Sequence, residues 1–156
     1  MVQRASISIE RIDPRNPEVT ALIHELDGYL GTLYPAESNH LVDIETLAAP
    51  EVRFFAARVE GEYYGCGAIM IQPGGYTEVK RVFVSPKARG LGLGRRIVET
   101  LAEATLAEGL RLMRLETGTL QPEALGLFEA FGFTRRGSFG DYPTDDPYSI
   151  FMQKSL

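Results

Sequence analysis

The sequence predicts an α+β fold: a mixed, mostly antiparallel sheet of six to seven strands flanked by about four helices. Three observations carry this. Strand-like segments come three in a row, joined by turns too short to hold a helix, which makes an antiparallel meander. A helix, a strand and another helix then alternate, the pattern that adds a parallel strand to a sheet. Finally, the chain of 156 residues is 44% hydrophobic and 24% charged, enough apolar content for one core in a single domain, residues 1–156.

Taken in order, Ser6 to Arg11 alternates Ile7 and Ile9 with polar neighbours, a strand pattern. Pro17 opens a helix whose Val19, Leu22, Ile23, Leu26 and Leu30 recur at spacings of three and four. A second, short helix is expected from Pro35 to Leu47. The meander follows. Val52 to Val59 and Tyr63 to Gln72 flank Glu60-Gly61, where Gly supplies positive φ, and Pro73-Gly74-Gly75 turns the chain into Tyr76 to Val84. From Gly92 the pattern is helical, with Leu93, Ile97, Val98, Leu101 and Ala102 on a wide apolar face that ends at Gly109. Arg111 to Thr117 is the next strand. Pro122 to Phe131 is a helix with Pro in its first turn and Gly132 at its stop. Short strands near Phe133 to Arg136 and Tyr148 to Lys154 complete the order β, α, α, β, β, β, α, β, α, β, β.

Composition narrows the function classes. Sixteen Lys and Arg against twenty-one Asp and Glu leave a net charge of −5, which argues against a nucleic-acid partner. A lone cysteine, Cys66, cannot form an internal disulfide or a four-cysteine zinc site, and with only His24 and His40 no metal is expected. Met1 to Pro14 lacks the apolar run of a signal peptide, and no apolar stretch is long enough to span a bilayer. A cytoplasmic protein with no membrane partner is the simplest expectation.

The chemistry is concentrated in Val82 to Arg96, VFVSPKARGLGLGRR. A strand ends at Val84, a short loop follows, and Gly90, Gly92 and Gly94 lead into a helix. Bare backbone N–H groups and the positive end of the helix suit a phosphate there. Lys87, Arg89, Arg95 and Arg96 surround the same turn of an otherwise acidic chain. A Walker loop would need Gly-Lys-Ser/Thr where this chain has Gly94-Arg95-Arg96, and the glycine spacing is not that of a dinucleotide fingerprint.

Arg89-Gly90-Leu91-Gly92-Leu93-Gly94 resembles the Arg/Gln-x-x-Gly-x-Gly/Ala signature of the GNAT superfamily of N-acetyltransferases. EVKRVFVSP, Glu78 to Pro86, looks like that family's fourth strand. LETGTLQPEALGLFEAFGF, Leu115 to Phe133, is similar to its fifth strand and following helix. The order of elements agrees over nearly the whole chain. The resemblance implies a GNAT fold and acetyl-CoA as co-substrate. Gly90, Leu91, Gly92, Leu93, Gly94 and Arg95, with Arg89, would hold its pyrophosphate. Val82, Phe83 and Val84 would lie along the pantetheine arm, reached also by Gln121, and a backbone N–H, that of Val82, would polarise the thioester carbonyl.

The implied reaction is transfer of the acetyl group to a primary amine of a small molecule, by direct attack in a ternary complex. An alkylammonium with pKa near 10.4 is neutral in only about one part in 10³ at pH 7, so a base must remove a proton at a cost of about 4–5 kcal/mol. Glu78, expected on one face with Val82 and Val84, is the first candidate, and a solvated residue paired with Lys80 or Arg81 is its plainer reading. Glu116 is read as a structural carboxylate. Many members protonate the leaving thiolate with a Tyr in the helix after the fifth strand. This chain has Phe128 there, so Tyr142 is the nearest alternative acid, unless the thiolate leaves unaided. Tyr34, Glu37 and His40 fall where the family roofs its acceptor pocket, though a plain surface loop would read the same. The turn-rich segment carrying Asp141, Asp145 and Asp146 is expected to be a flap. Two other functions fit the sequence: a protein or peptide N-acetyltransferase, and a non-catalytic acyl-CoA-binding module. Dimers are common in the superfamily, so a homodimer is compatible with it.

Overall fold

The computed structural model describes residues 6–156, so Met1 to Ala5 of the N-terminal reading lie outside the described residues. The strands are β1 (Ile7–Arg11), β2 (Val52–Val59), β3 (Glu62–Gln72), β4 (Tyr76–Val84), β5 (Leu112–Gly118), β6 (Thr134–Arg136) and β7 (Ser149–Ser155). The helices are α1 (Pro17–Leu33), α2 (Ile44–Leu47), α3 (Leu93–Ala107) and α4 (Pro122–Ala130). One sheet holds all seven strands in the order β1-β2-β3-β4-β5-β7-β6. Every neighbouring pair is antiparallel except β4 and β5, which are joined through α3. The expected α+β class, mixed sheet and helix number are those observed.

Local chemistry accounts for the elements. Asn16 caps α1 by accepting from the Glu18 N–H, Pro17 occupies the first turn, and Val19, Leu22, Ile23, Leu26 and Leu30 are buried. Glu60 (φ 51°) and Gly61 (φ 84°) together close the β2–β3 hairpin, as a two-residue turn with two positive φ values requires. The region from Pro35 to Leu47 departs from expectation. It is a single 3-10 turn, Ala36–Ser38, then extended chain, then the one-turn α2 capped by Asp43. Asn39, His40 and Val42 are poor helix formers, and nothing there repeats an apolar face.

The sheet separates two apolar layers. On one side α3 and α4 bury Leu93, Ile97, Val98, Leu101 and Phe128 against Ile69, Val79 and Met113. On the other, α1 and α2 bury Val19, Ile23 and Leu47 against Phe54, Ala68 and Met70.

A β-bulge sits where β3 and β4 change register between Cys66 and Ala68, opposite Arg81, which has φ 51°. A bulge adds one residue to one strand and so reverses which face later side chains occupy. Val79, before it, and Val82 and Val84, after it, all pack on the α3 side. Glu78 therefore points to the α1 side. The expectation that Glu78 shares a face with Val82 and Val84 is corrected by this bulge. Arg81 anchors the bulge: its Nε donates to Asp27 Oδ1 at 3.0 Å, and its Nη2 donates to the Val42 carbonyl. Cys66 lies beneath, fully buried, with its thiol donating to the Arg81 carbonyl and burial pushing its pKa up to about 12. It is a buried structural thiol.

Gly67 lies at the same register shift. A Cβ there would stand 2.6 Å from Ile97 Cγ2, and Ile97 is itself fully enclosed. Gly67→Ala is expected to push α3 off the sheet and lower stability by about 1–3 kcal/mol, measured by urea unfolding.

Candidate active site

Parallel pairing of β4 and β5 is brief, Thr77 with Met113 and Glu78 with Arg114, after which the strands diverge. The opening runs between them from Val79 to Val82 on one side and Leu115 to Gly118 on the other. The second half of β4 thus has a partner only in β3, and its other backbone edge is available to an extended ligand.

That edge leads into a cleft of about 480 Å³. Val82, Phe83 and Val84 form one wall; Arg89, Gly90, Gly92, Leu93, Gly94 and Arg95 form its end; Gln121 and Leu127 close the α4 side. Of the residues expected at the cofactor, only Leu91 does not line the cleft; it is exposed at its rim. The αL conformation of Gly92 (φ 74°) starts α3 with no side-chain cap. The first N–H groups of the helix lack intrahelical acceptors, and among the described residues no acceptor meets those of Arg89 to Gly92. Unsatisfied donors gathered at a helix N-terminus fit a pyrophosphate. Arg89 and Arg95 are exposed and held only by surface pairs to Glu123 and Glu99, which cost little to give up.

Next to the cleft, inside the split, is a smaller cavity of about 100 Å³. The two share Leu26, Val82, Gln121 and Ala124, which mark the junction. Tyr34 reaches this junction from the end of α1: its Oη accepts from the Leu120 N–H at 3.1 Å and donates to Gln121 Oε1 at 3.1 Å. Glu116 borders the cavity from β5, half-buried, with Ser149 Oγ donating to its Oε2 at 2.8 Å. Burial raises its pKa above the ordinary carboxylate value.

The roof consists of Ser38 to Leu41 and the loop before β7. These segments are stitched together: Ser38 Oγ and His40 Nε2 donate to Asp146 at 3.1 and 2.9 Å, and Asp146 also accepts the Tyr148 N–H. That N–H, first among several causes, holds the Asp146 carboxyl below its usual range. Glu37 is not part of this roof. It is exposed on the 3-10 turn, and Ser38 and Asn39 face the cavity instead. The flap is anchored as well, because Phe139 is buried among Tyr76, Tyr142 and Phe151.

Glu78 and Tyr142 are brought together, but on each other. The Tyr142 hydroxyl donates to Glu78 Oε2 and accepts from Lys80 Nζ at 2.8 Å. Lys80 also pairs with Glu78 at 2.7 Å, and Gln72 Nε2 donates to its other oxygen at 3.0 Å. Glu78 is 3% exposed and faces a separate cavity behind Tyr142 rather than the split. Burial, then the Glu78 charge, pushes the phenol's pKa far up.

The sequence description "Acetyltransferase (GNAT) family" matches residues 19–133. The chain belongs to the GNAT acetyltransferase family. An "IAA acetyltransferase" of Azospirillum brasilense is 51% identical over 152 residues, covering 97% of this chain and 99% of that one. A protein assigned as an acyl-CoA N-acyltransferase from Klebsiella pneumoniae shares the fold with a TM-score of 0.81 and 34% identity, over 96% and 97% of the two chains. A crystal structure of aminoglycoside 6'-N-acetyltransferase complexed with coenzyme A, 19% identical, matches with a TM-score of 0.73 over 95% and 96%.

Within this GNAT acetyltransferase, the sequence reading misses Gly118 and carries Glu116 and Lys80 only in other roles. Glu116 faces the cavity only because the strands split beside it. Lys80 is drawn into the Glu78 pair by the spacing of two on one strand, which the sequence did carry as the plainer reading of Glu78. Gly118, at the end of β5, is needed by Tyr34: a Cβ there would lie 1.8 Å from the phenol oxygen. Phe128, in the position where the family often has Tyr, is buried at the cavity and packs edge-on against Phe133.

Proposed function

We propose that this enzyme transfers an acetyl group from acetyl-CoA to the primary amine of a small molecule, by direct attack within a ternary complex. The observation that carries the acceptor class is the roof. The Asp146 bonds to Ser38 and His40 join both covering segments over a cavity of about 100 Å³, which suits a slender amine better than a polypeptide.

Acetyl-CoA supplies an activated acyl group on a thiol leaving group. The chain's own residues do the rest. The N–H groups from Arg89 to Arg95 hold the pyrophosphate, with Arg89 and Arg95 released from their surface partners. The free edge of β4 at Val82 to Val84 orients the pantetheine, and Gln121 meets it from α4. An N–H beside the bulge, that of Val82, polarises the carbonyl. Glu116 accepts the proton of the ammonium, directly or through water, because its carboxylate borders the cavity and keeps one oxygen free of side-chain donors. Glu78, expected in that role, has both oxygens engaged and serves to pin Tyr142 and Lys80.

A thiol-release assay with acetyl-CoA over amines, amino acids, polyamines, peptides and IAA tests the reading. Release dependent on a small amine is the expected result, while release only with peptides would overturn the acceptor class.

A further inference from the structure

A thiolate departing beside the split is a better leaving group when it takes up a proton. The hydroxyls around the split can be sorted by what they already do. Ser38 and Tyr142 give their protons to the carboxylates of Asp146 and Glu78, whereas Tyr34 donates to the neutral amide oxygen of Gln121. Thr117 and Tyr148 also line the cavity, but among the described residues no side-chain hydrogen bond ties either hydroxyl to a residue of the cleft. Phe128 carries no proton at all. The four residues shared by the cleft and the cavity are Leu26, Val82, Gln121 and Ala124, and one of them, Gln121, is hydrogen-bonded to a phenol.

We infer that Tyr34 is the proton donor to the departing thiolate, entering the split from α1 in place of a donor from α4. Two features of the chain support this independently. Tyr34 is 8% exposed and lines the cavity, and its hydroxyl is aimed at the junction: it accepts from the Leu120 N–H and donates its proton to Gln121, a residue shared with the cleft. The end of β5 is glycine, and any Cβ at Gly118 would overlap the phenol, so the bare backbone is the condition for the ring to stand there. Burial raises the Tyr34 pKa and keeps the phenol protonated near neutrality.

This inference rests on the acetyltransferase reading above. In the step, the amine nitrogen forms the N–C bond and the C–S bond breaks, its electron pair going to sulfur. Glu116 takes one proton of the ammonium before attack and passes it to water, then takes the second nitrogen proton as the amide forms; the sulfur takes the proton of Tyr34, whose phenolate is reprotonated from solvent. Overall, ammonium and thioester give amide, thiol and one proton released to water.

The test does not need turnover. With coenzyme A bound, the ionisation of its thiol is followed by ultraviolet absorbance across pH in the wild type and in Tyr34→Phe. A hydrogen bond to the charged form stabilises it, so the variant is expected to raise the bound thiol's pKa by about one to two units. Calorimetric affinity for coenzyme A is expected to stay near wild type, with a modest fall in unfolding temperature from the lost bonds to Leu120 and Gln121. A single-turnover acetyl transfer about 10–100-fold slower, at unchanged affinity, completes the expected result. An unchanged thiol pKa overturns the inference even where the rate falls, because Tyr34 would then only position Gln121. The two readings fail separately. A wild type that binds coenzyme A and acetylates no amine sinks the transferase proposal, whereas the thiol titration still decides Tyr34.

Discussion

Glu116→Gln is expected to lower kcat/KM for the amine by about 10²–10⁴-fold, while Glu78→Gln lowers it by no more than about tenfold. The two carboxylates lie on neighbouring strands, yet their surroundings differ. Glu116 borders the central cavity, with Ser149 its one side-chain partner among the described residues; Glu78 faces away, with Tyr142, Lys80 and Gln72 on its oxygens. Glu78→Gln should instead appear as lost stability of about 3–5 kcal/mol, since it leaves Lys80 buried without its counter-charge. The pH dependence separates them further. Glu116 must be ionised to accept a proton, and burial lifts its pKa above the ordinary 4.5. Activity therefore falls as pH drops through a value above 4.5, and Glu116→Gln removes that limb. Glu78→Gln keeps it. Steady-state profiles of both variants decide the matter: a large loss confined to Glu78→Gln would return the base to β4.

Much of the fold was legible because its signals are local. Val52 to Val59 and Tyr76 to Val84 have the expected limits, since turn residues stop them on both sides. The glycine-turn cleft was legible for the same reason. Its glycines, its arginines and the strand before them are consecutive, so one stretch of chain builds most of it. The cavity in the split was less so. The bulge at Arg81 leaves no local mark, for a non-glycine residue at φ 51° is held there by Asp27, 54 residues away. One inserted residue then moved Glu78 to the opposite face from Val82. Glu116 owes its place to the divergence of β4 and β5, and Glu37 lost its place to Ser38 through the pitch of a single 3-10 turn. Each of these depends on where separate segments meet, which alternation along one strand does not encode.

Gly92→Val is expected to weaken coenzyme A binding by about 10²–10⁴-fold while the fold survives, and Gly109→Val is the matched control. Both glycines have nearly the same backbone, φ 74° and φ 77°, and a Cβ at either meets nothing within 4 Å. A valine at each carries the same left-handed strain, of about 1–2 kcal/mol. The two therefore lower the unfolding temperature alike. Their positions differ: Gly92 begins α3 at the end of the cleft, while Gly109 follows the far end of the same helix. At Gly92 the side chain occupies the space above the free N–H groups, where a phosphate would approach. Losing two charge-assisted bonds of about 1.5–3 kcal/mol each weakens binding by roughly 10²–10⁴-fold. Isothermal calorimetry on the three proteins reads the difference directly. Equal loss in both variants would make strain the cause and take the pyrophosphate away from the glycine turn. Loss in Gly92→Val alone ties the ligand to the N-terminus of α3.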